Sequence, residues 1–352
     1  MNRPRRPWPG PVLLLLLACT ACEPASRDTH DSHFYAVGTR VELTLRLTEQ
    51  DFERAETAVR EQFEEAHRGW DGWGGGALGR MNLALETADT AAVPPELEAG
   101  LARALELARL SDGQFHPGIG ALTETWGFHR APWPDLAPAP QAIEAARLRV
   151  PAADEIRLAG GVLTTDRPGV RIDSGGFAKG LILEAVRDEL REQGVNHGLV
   201  NAGGDLAVLG DAGERPWRVG ILDPRGDGVL ARAEARDGEC LVTSGDYERG
   251  FEAEGHWFHH LLDPATGYPA RGTGSATVIA QDCALADVAA TAIFVAGPGK
   301  WPETAGALGV EQVMVVADDG TAELSPAMAE RLDFRDRQPE TREMAVHVEN
   351  GQ

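Results

Sequence analysis

The sequence predicts an α+β fold with mixed or antiparallel sheets and packed helices, and three observations carry that reading. Helix-like and strand-like segments are mixed without the regular βαβ spacing of a parallel sheet. Short strands follow one another around 198–209, 217–222, 240–244 and 275–280, with helix signals only before and after them, over 178–193 and 283–296. There is no internal repeat. About 330 residues follow the leader described below, enough for one large domain or two lobes.

The elements can be justified in order. Arg3, Arg5 and Arg6, the apolar run Val12 to Leu17, and the small residues that end it have the layout of a secretory signal. That run falls well short of the roughly 20 residues that span a bilayer. Leu16-Leu17-Ala18-Cys19 resembles a bacterial lipobox. The resemblance implies removal of residues 1–18, acylation of Cys19, and a membrane-anchored, periplasmic chain. Cys22 competes, but Cys19 stands where an aliphatic residue is expected three positions before it. Residues 19–33 are polar after that point and read as a tether. The folded domain is expected over 34–333, followed by a charged, disordered tail over 334–352.

Within the domain, Val41, Leu43, Leu45 and Leu47 alternate with polar residues, as in a strand with one buried face. Phe52, Ala55, Val59, Phe63 and Ala66 recur at helical spacing over 50–67. A glycine-rich break covers 71–79, and Pro94-Pro95 opens a second helix. Proline-rich 132–141 reads as a loop. A helix over 178–193 stops at Gly194, and another over 283–296 stops at Gly297. A strand over 312–317 leads into a hairpin at Asp319-Gly320, and Ser325-Pro326 caps a short final helix.

Composition excludes more than it assigns. Lys and Arg total 33 against 55 Asp and Glu, a formal net charge of −22, which disfavours nucleic acid and anionic lipid as partners. Of four cysteines, Cys240 and Cys283 stand alone in the body, without zinc-site spacing. Export permits a disulfide between them, but nothing in the sequence shows that they approach.

Three segments carry chemistry. Arg171-Ile-Asp-Ser-Gly-Gly-Phe-Ala-Lys-Gly180 places two glycines before a helix, where amide groups favour a phosphate. Asp173 can hold a polar ligand edge; Lys179 can meet a phosphate or a carboxylate. The segment is neither a Walker loop nor a GxGxxG turn. Asp287 and Thr291, four apart on a helix, share one face and offer the hard oxygens that suit Mg²⁺. The plainer use of this pair is a dipole-favoured Asp and a Thr turned onto its own carbonyl. In Trp257-Phe-His-His-Leu-Leu-Asp-Pro, a turn can present His260 to a cleft for proton transfer, or a backbone carbonyl can hold it structurally.

In chain order, the segments VGT, GALGRMN, GQFHPGIGALTETWGF, RIDSGGFAKG, NAGGDL, PWRVGILDP, TSGDY, HHLLDPATGYP and ADVAAT resemble the ApbE-type flavin transferases from about Ala36 to Gly297. That family moves FMN from FAD onto a threonine (or serine) of a redox-complex protein and releases AMP. The resemblance implies a two-lobed fold with the active site between the lobes. It assigns Mg²⁺ to Asp287, Thr291 and the Gly176 carbonyl, and the proton acceptor role to His260. It places Asp173, Lys179, Gln114, Phe115, His116 and Val37 (where methionine is usual) around FAD. Three departures stand out. His116 occupies a carboxylate position, glycine-rich 72–76 replaces a segment with an aromatic residue, leaving Trp73 one place displaced, and Ala284 replaces an acidic residue. The same residues would serve an FAD pyrophosphatase, or a flavin-binding lipoprotein without turnover.

Overall fold

The computed structural model describes residues 28–213, 215–334 and 338–348. The signal segment, Cys19 and Cys22 lie outside the described residues.

Strands β1 (Asp28–Ala36) and β2 (Thr39–Leu47) form a hairpin turned by Val37 and Gly38, both at positive φ. On β2 the alternation holds: Val41, Leu43, Leu45 and Leu47 are buried and the residues between them are not. β1 corrects the expected tether. Residues 28–33 are paired along β2, because backbone hydrogen bonding makes a strand of polar residues on an edge that need not be apolar. Helix α1 (Glu49–Trp70) is capped by Thr48, whose hydroxyl accepts from the Asp51 amide, and buries Phe52, Ala55, Val59 and Phe63. Helix α2 (Ala77–Leu85) begins inside the stretch read as a glycine break. Then come β3 (Thr90–Ala92) and α3 (Pro95–Leu110), the latter with proline at its first position.

Helices α4 (Gly120–Trp126) and α5 (Pro140–Arg147) flank the proline-rich loop and precede the β4 (Ile156–Ala159) and β5 (Val162–Thr165) hairpin. Helix α6 (Ala178–Glu192) ends before Gly194, whose φ of 81° is the left-handed exit expected there. Strands β6 (Gly198–Ala202), β7 (Asp205–Leu209), β8 (Trp217–Leu222), β9 (Val229–Ala235), β10 (Cys240–Gly245), β11 (Gly250–Ala253), β12 (His256–His259) and β13 (Thr273–Ala280) follow. Helix α7 (Cys283–Ala296), capped by Asp282, leads to α8 (Trp301–Leu308) and β14 (Gln312–Ala317). The chain closes with β15 (Ala322–Leu324), α9 (Pro326–Ala329) capped by Ser325, β16 (Leu332–Asp333) and β17 (Thr341–Glu343).

Nine strands make the main sheet in the order β1-β2-β6-β7-β10-β13-β14-β15-β17, antiparallel except where β17 runs parallel to β15. β17 corrects the expected tail. Residues 341–343 pair on the sheet edge, and Met344 and Val346 pack against the core, two apolar anchors in a segment charged enough to suggest disorder. One face of the sheet carries α1, α6 and α7 over the largest core, which includes Phe63, Leu183, Val278 and Phe294. The other face packs Val208, Leu241, Ile279 and Met314 against β8 and β9. A separate apolar cluster surrounds Trp126, with Leu122, Ile143, Phe251 and Leu262. Its indole nitrogen donates to the Gly267 carbonyl at 2.9 Å.

Candidate active site

Between the largest core and the Trp126 cluster lies a cavity of about 420 Å³. Every sequence-predicted site residue within the described chain lines it: Val37, Gln114, Phe115, His116, Asp173, Gly176, Lys179, His260, Asp287 and Thr291. Cys19 alone lies outside the described residues.

The wall nearest the helices is built on regular structure. α7 carries Asp287 and Thr291 on one face, and both face the cavity. Asp287 is not a capping residue, since Asp282 fills that role by accepting from the Leu285 amide at 2.7 Å. The Gly180 amide, in the first turn of α6, donates to Asp287 Oδ2 at 2.8 Å. A side chain at Gly180 would strike the Cys283 carbonyl and the Asp287 Cβ, so glycine is what lets α6 sit this close to α7. A Cβ at Gly176 would lie 3.6 Å from Thr291 Oγ1 and 3.2 Å from the Phe115 ring, so the glycine turn runs beside the Thr291 hydroxyl. Thr291 Oγ1 is also 3.4 Å from Ser244 Oγ on β10.

Around these groups the structure gathers acids that sequence reasoning left without a role. Lys179 pairs with buried Asp205 of β7, and Glu248 lies on the same wall. Burial opposes charge on Lys179, but Asp205 and Asp287 outweigh it and raise its pKa. Burial pushes Asp287 up to about 7 against the pull of Lys179, and enclosure does the same to Glu248, also to about 7. The donor set of Asp287, Thr291 and the Gly176 turn is hard oxygen throughout, and its surroundings hold more acids than cations. That chemistry fits a divalent cation of the Mg²⁺ kind. The available signals were Asp205 in NAGGDL and Glu248 directly after TSGDY, but acids near a strand end have many local uses.

His260 Nδ1 lies 3.3 Å from the Arg249 carbonyl, which can only accept, so the proton sits on Nδ1 and Nε2 keeps its lone pair. Enclosure, then the Arg249 charge, lower its pKa to about 3, so the ring is neutral. The structural role and the proton-acceptor role are therefore compatible: one ring nitrogen is held while the other stays free to take a proton.

Much of the rest of the lining is made of loops. Asn82 of α2 holds Ile172 from both sides, donating to its carbonyl at 2.8 Å and accepting its amide at 2.9 Å, which sets where the Asp173 turn begins. Asp173 Oδ1 accepts the Gly175 amide at 2.7 Å, so one carboxylate oxygen braces the turn. Trp73 reaches the cavity with its ring 4.7 Å from His129 and under the Arg171 guanidinium at 4.4 Å. His116 Nδ1 accepts the Gly118 amide at 3.0 Å, and burial drops its pKa to about 4. This histidine is neutral, where the resemblance had implied a carboxylate. A more open cleft of about 900 Å³ shares Trp70 and Asp71 but none of the predicted site residues.

The ApbE family model matches residues 37–314. The FAD:protein FMN transferase of Rhodobacter capsulatus is 36% identical over 301 residues, covering 85% of this chain and 58% of that protein. The protein of the same description from Klebsiella pneumoniae is 36% identical over 56% of this chain and 61% of its own. The chain thus spans about three fifths of the length of these relatives. Among solved structures, the ApbE protein of Thermotoga maritima superposes with a TM-score of 0.80 at 30% identity, over 86% of this chain and 99% of that one. The flavin transferase ApbE of Vibrio cholerae gives 0.75 at 25% identity, over 86% of this chain and all of that one. With a family model that spans most of its length and structures that match it nearly end to end, the chain belongs to the ApbE family.

Proposed function

We propose that this protein transfers FMN from FAD to a threonine or serine hydroxyl of an acceptor redox protein, with AMP as the leaving group. The observation that carries the reading is the meeting, in one cavity, of Asp287, Thr291, the Gly176 turn, Lys179 and His260. Asp287, Thr291 and the Gly176 carbonyl are the groups to hold Mg²⁺, which when bound supplies charge neutralisation at the pyrophosphate. The acceptor oxygen forms a bond to the FMN phosphorus as the bond to the AMP oxygen breaks. The acceptor proton passes to His260 Nε2, whose orientation is set by Nδ1 on the Arg249 carbonyl. Enclosure holds the ring's pKa at about 3, and the negative charge of the substrate's phosphates, once bound, raises it toward that task. Lys179, held by Asp205, keeps a fixed positive charge in the same cavity.

The leader supports acylation at Cys19 and a place on the periplasmic face of the membrane. Among the described residues no helix is long and apolar enough to cross a membrane.

The test is incubation of purified protein with FAD, Mg²⁺ and a candidate acceptor. The acceptor should gain the mass of one FMN, and EDTA should prevent the gain. Release of free FMN with no labelled acceptor across a panel of redox proteins would replace this reading with FAD hydrolysis. Tight FAD binding without any AMP would leave a binding protein.

A further inference from the structure

Cys240 and Cys283 are both fully buried and joined as a disulfide, with their Cα atoms 5.2 Å apart. The bridge links the first residue of β10 to the first residue of α7. On α7, Cys283, Asp287 and Thr291 are spaced by four and form one stripe. On β10, Cys240 and Ser244 are separated by four and share one face. The two stripes meet again at the far end, where Ser244 Oγ and Thr291 Oγ1 are 3.4 Å apart. Four residues of strand span about 13 Å, and eight residues of helix span about 12 Å. Helix and strand therefore run side by side in the same direction. A covalent bond holds one end, a hydroxyl pair marks the other, and Asp287 lies halfway between.

Arg187 of α6 locks the covalent end. Its Nη1 donates to the carbonyls of Gly238 at 2.8 Å and Gln281 at 2.7 Å, the residues two before each cysteine, and lies 3.5 Å from Cys283 Sγ. α6 is the same helix whose Gly180 amide holds Asp287. The strand, the helix with the oxygen ligands and the helix that orients them are thus joined at one point.

We infer that the Cys240–Cys283 disulfide is a positioning device for the cation site: it fixes the lengthwise register of α7 on β10, and with it the placing of Asp287 and Thr291 against Ser244. Without the bridge the helix keeps its packing and the hydrogen bonds from Gly180 and Arg187 but loses the one covalent tie to β10, and the oxygens lose their fixed spacing. This rests on the assignment of Asp287 and Thr291 to a divalent cation.

The test uses the full chain, the double variant Cys240→Ala/Cys283→Ala, and wild type before and after reduction by dithiothreitol. In the reduction the S–S bond breaks and two thiols form, while the reagent supplies two electrons and two protons and closes to its own cyclic disulfide. Peptide mapping with iodoacetamide checks that both cysteines are unreactive before reduction and alkylated after it. Mn²⁺ binding without FAD, followed by electron paramagnetic resonance, is the readout. Groups that orient metal ligands are worth about 10- to 100-fold in affinity, so the Mn²⁺ dissociation constant should rise at least tenfold in the double variant and in the reduced protein. It should return on re-oxidation. A merely stabilising disulfide would lower the melting temperature and leave Mn²⁺ affinity of the folded protein unchanged, and that result overturns the inference. Free thiols at 240 and 283 in the native protein also overturn it. If the double variant does not fold, the reduced and re-oxidised wild type decides. No Mn²⁺ binding by oxidised wild type, or binding that persists unchanged in Asp287→Ala, would instead remove the cation assignment on which the inference stands.

Discussion

The two walls of the cavity differ in how they are built. The wall with Asp287, Thr291, Ser244 and Lys179 stands on two helices and one central strand, tied by a disulfide and by the Gly180–Asp287 hydrogen bond. The wall with Trp73, His116 and His129 stands on loops, where glycines and side-chain hydrogen bonds set the path. Regular elements fix a side chain to within its rotamer, whereas loops tolerate replacement. The difference sets Asp287 and Thr291, fixed on a helix, against a neutral histidine and a tryptophan that sit on loops.

The largest effect that can break this comparison is on the rigid wall. Asp287→Ala should lower FMN transfer by about 10³-fold, since a preorganised charged group at the reacting centre is worth that much. Steady-state AMP release checks it. His260→Ala should cost at least about 10²-fold in kcat, with the FAD half-saturation little changed, because a proton acceptor acts in the transition state. The same experiment carries a pH test. With the ring lowered to about 3 in the free protein, the acid limb of kcat should lie well above pH 3 once FAD is bound, and His260→Ala should remove that limb.

On the loop wall the effects are smaller and fall on stability or affinity. His116 is neutral in the folded protein down to about pH 4, while the unfolded chain protonates it near its ordinary value of 6.5. Between those values the unfolded state binds more protons, so stability is full above pH 6.5, falls as pH drops, and stops falling near pH 4. The loss is about 3 kcal/mol at most. His116→Gln should flatten the melting temperature over that window relative to wild type. Trp73→Ala is the mildest change. Loss of one aromatic contact, worth about 0.5–1.5 kcal/mol, should raise the FAD half-saturation several-fold and leave kcat close to wild type. If Trp73→Ala instead abolished kcat, the division of labour between the walls would fail.

Much of the rigid wall was legible because its signals are periodic or spaced. Asp287 and Thr291 are four apart inside an apolar helix with a clear stop at Gly297, and the stretches 217–222, 240–244 and 275–280 are strands as expected, whereas 198–209 divides into β6 and β7, and β9, β11 and β12 were not expected. What was not legible depends on long-range approach. Cys240 and Cys283 are 43 residues apart and meet only because α7 lies on β10. Asp205 and Glu248 acquire meaning only beside Lys179. Helix α2 was hidden by the glycines that precede it, although its Asn82 holds the Asp173 turn in place. Strands β1 and β17 were read as tether and tail because edge strands are held by backbone pairing, which polar sequence does not advertise.

The central claim is that Asp287, Thr291 and the Gly176 turn make a cation site that drives phosphoryl-type transfer from FAD. It is tested most directly by measuring AMP and FMN-labelled acceptor together, in wild type and in Asp287→Ala, with Mg²⁺ and with EDTA. The account predicts one AMP for each FMN attached in wild type with Mg²⁺, and neither product with EDTA or in the variant. Equal AMP release by Asp287→Ala, or release unaffected by EDTA, would contradict it.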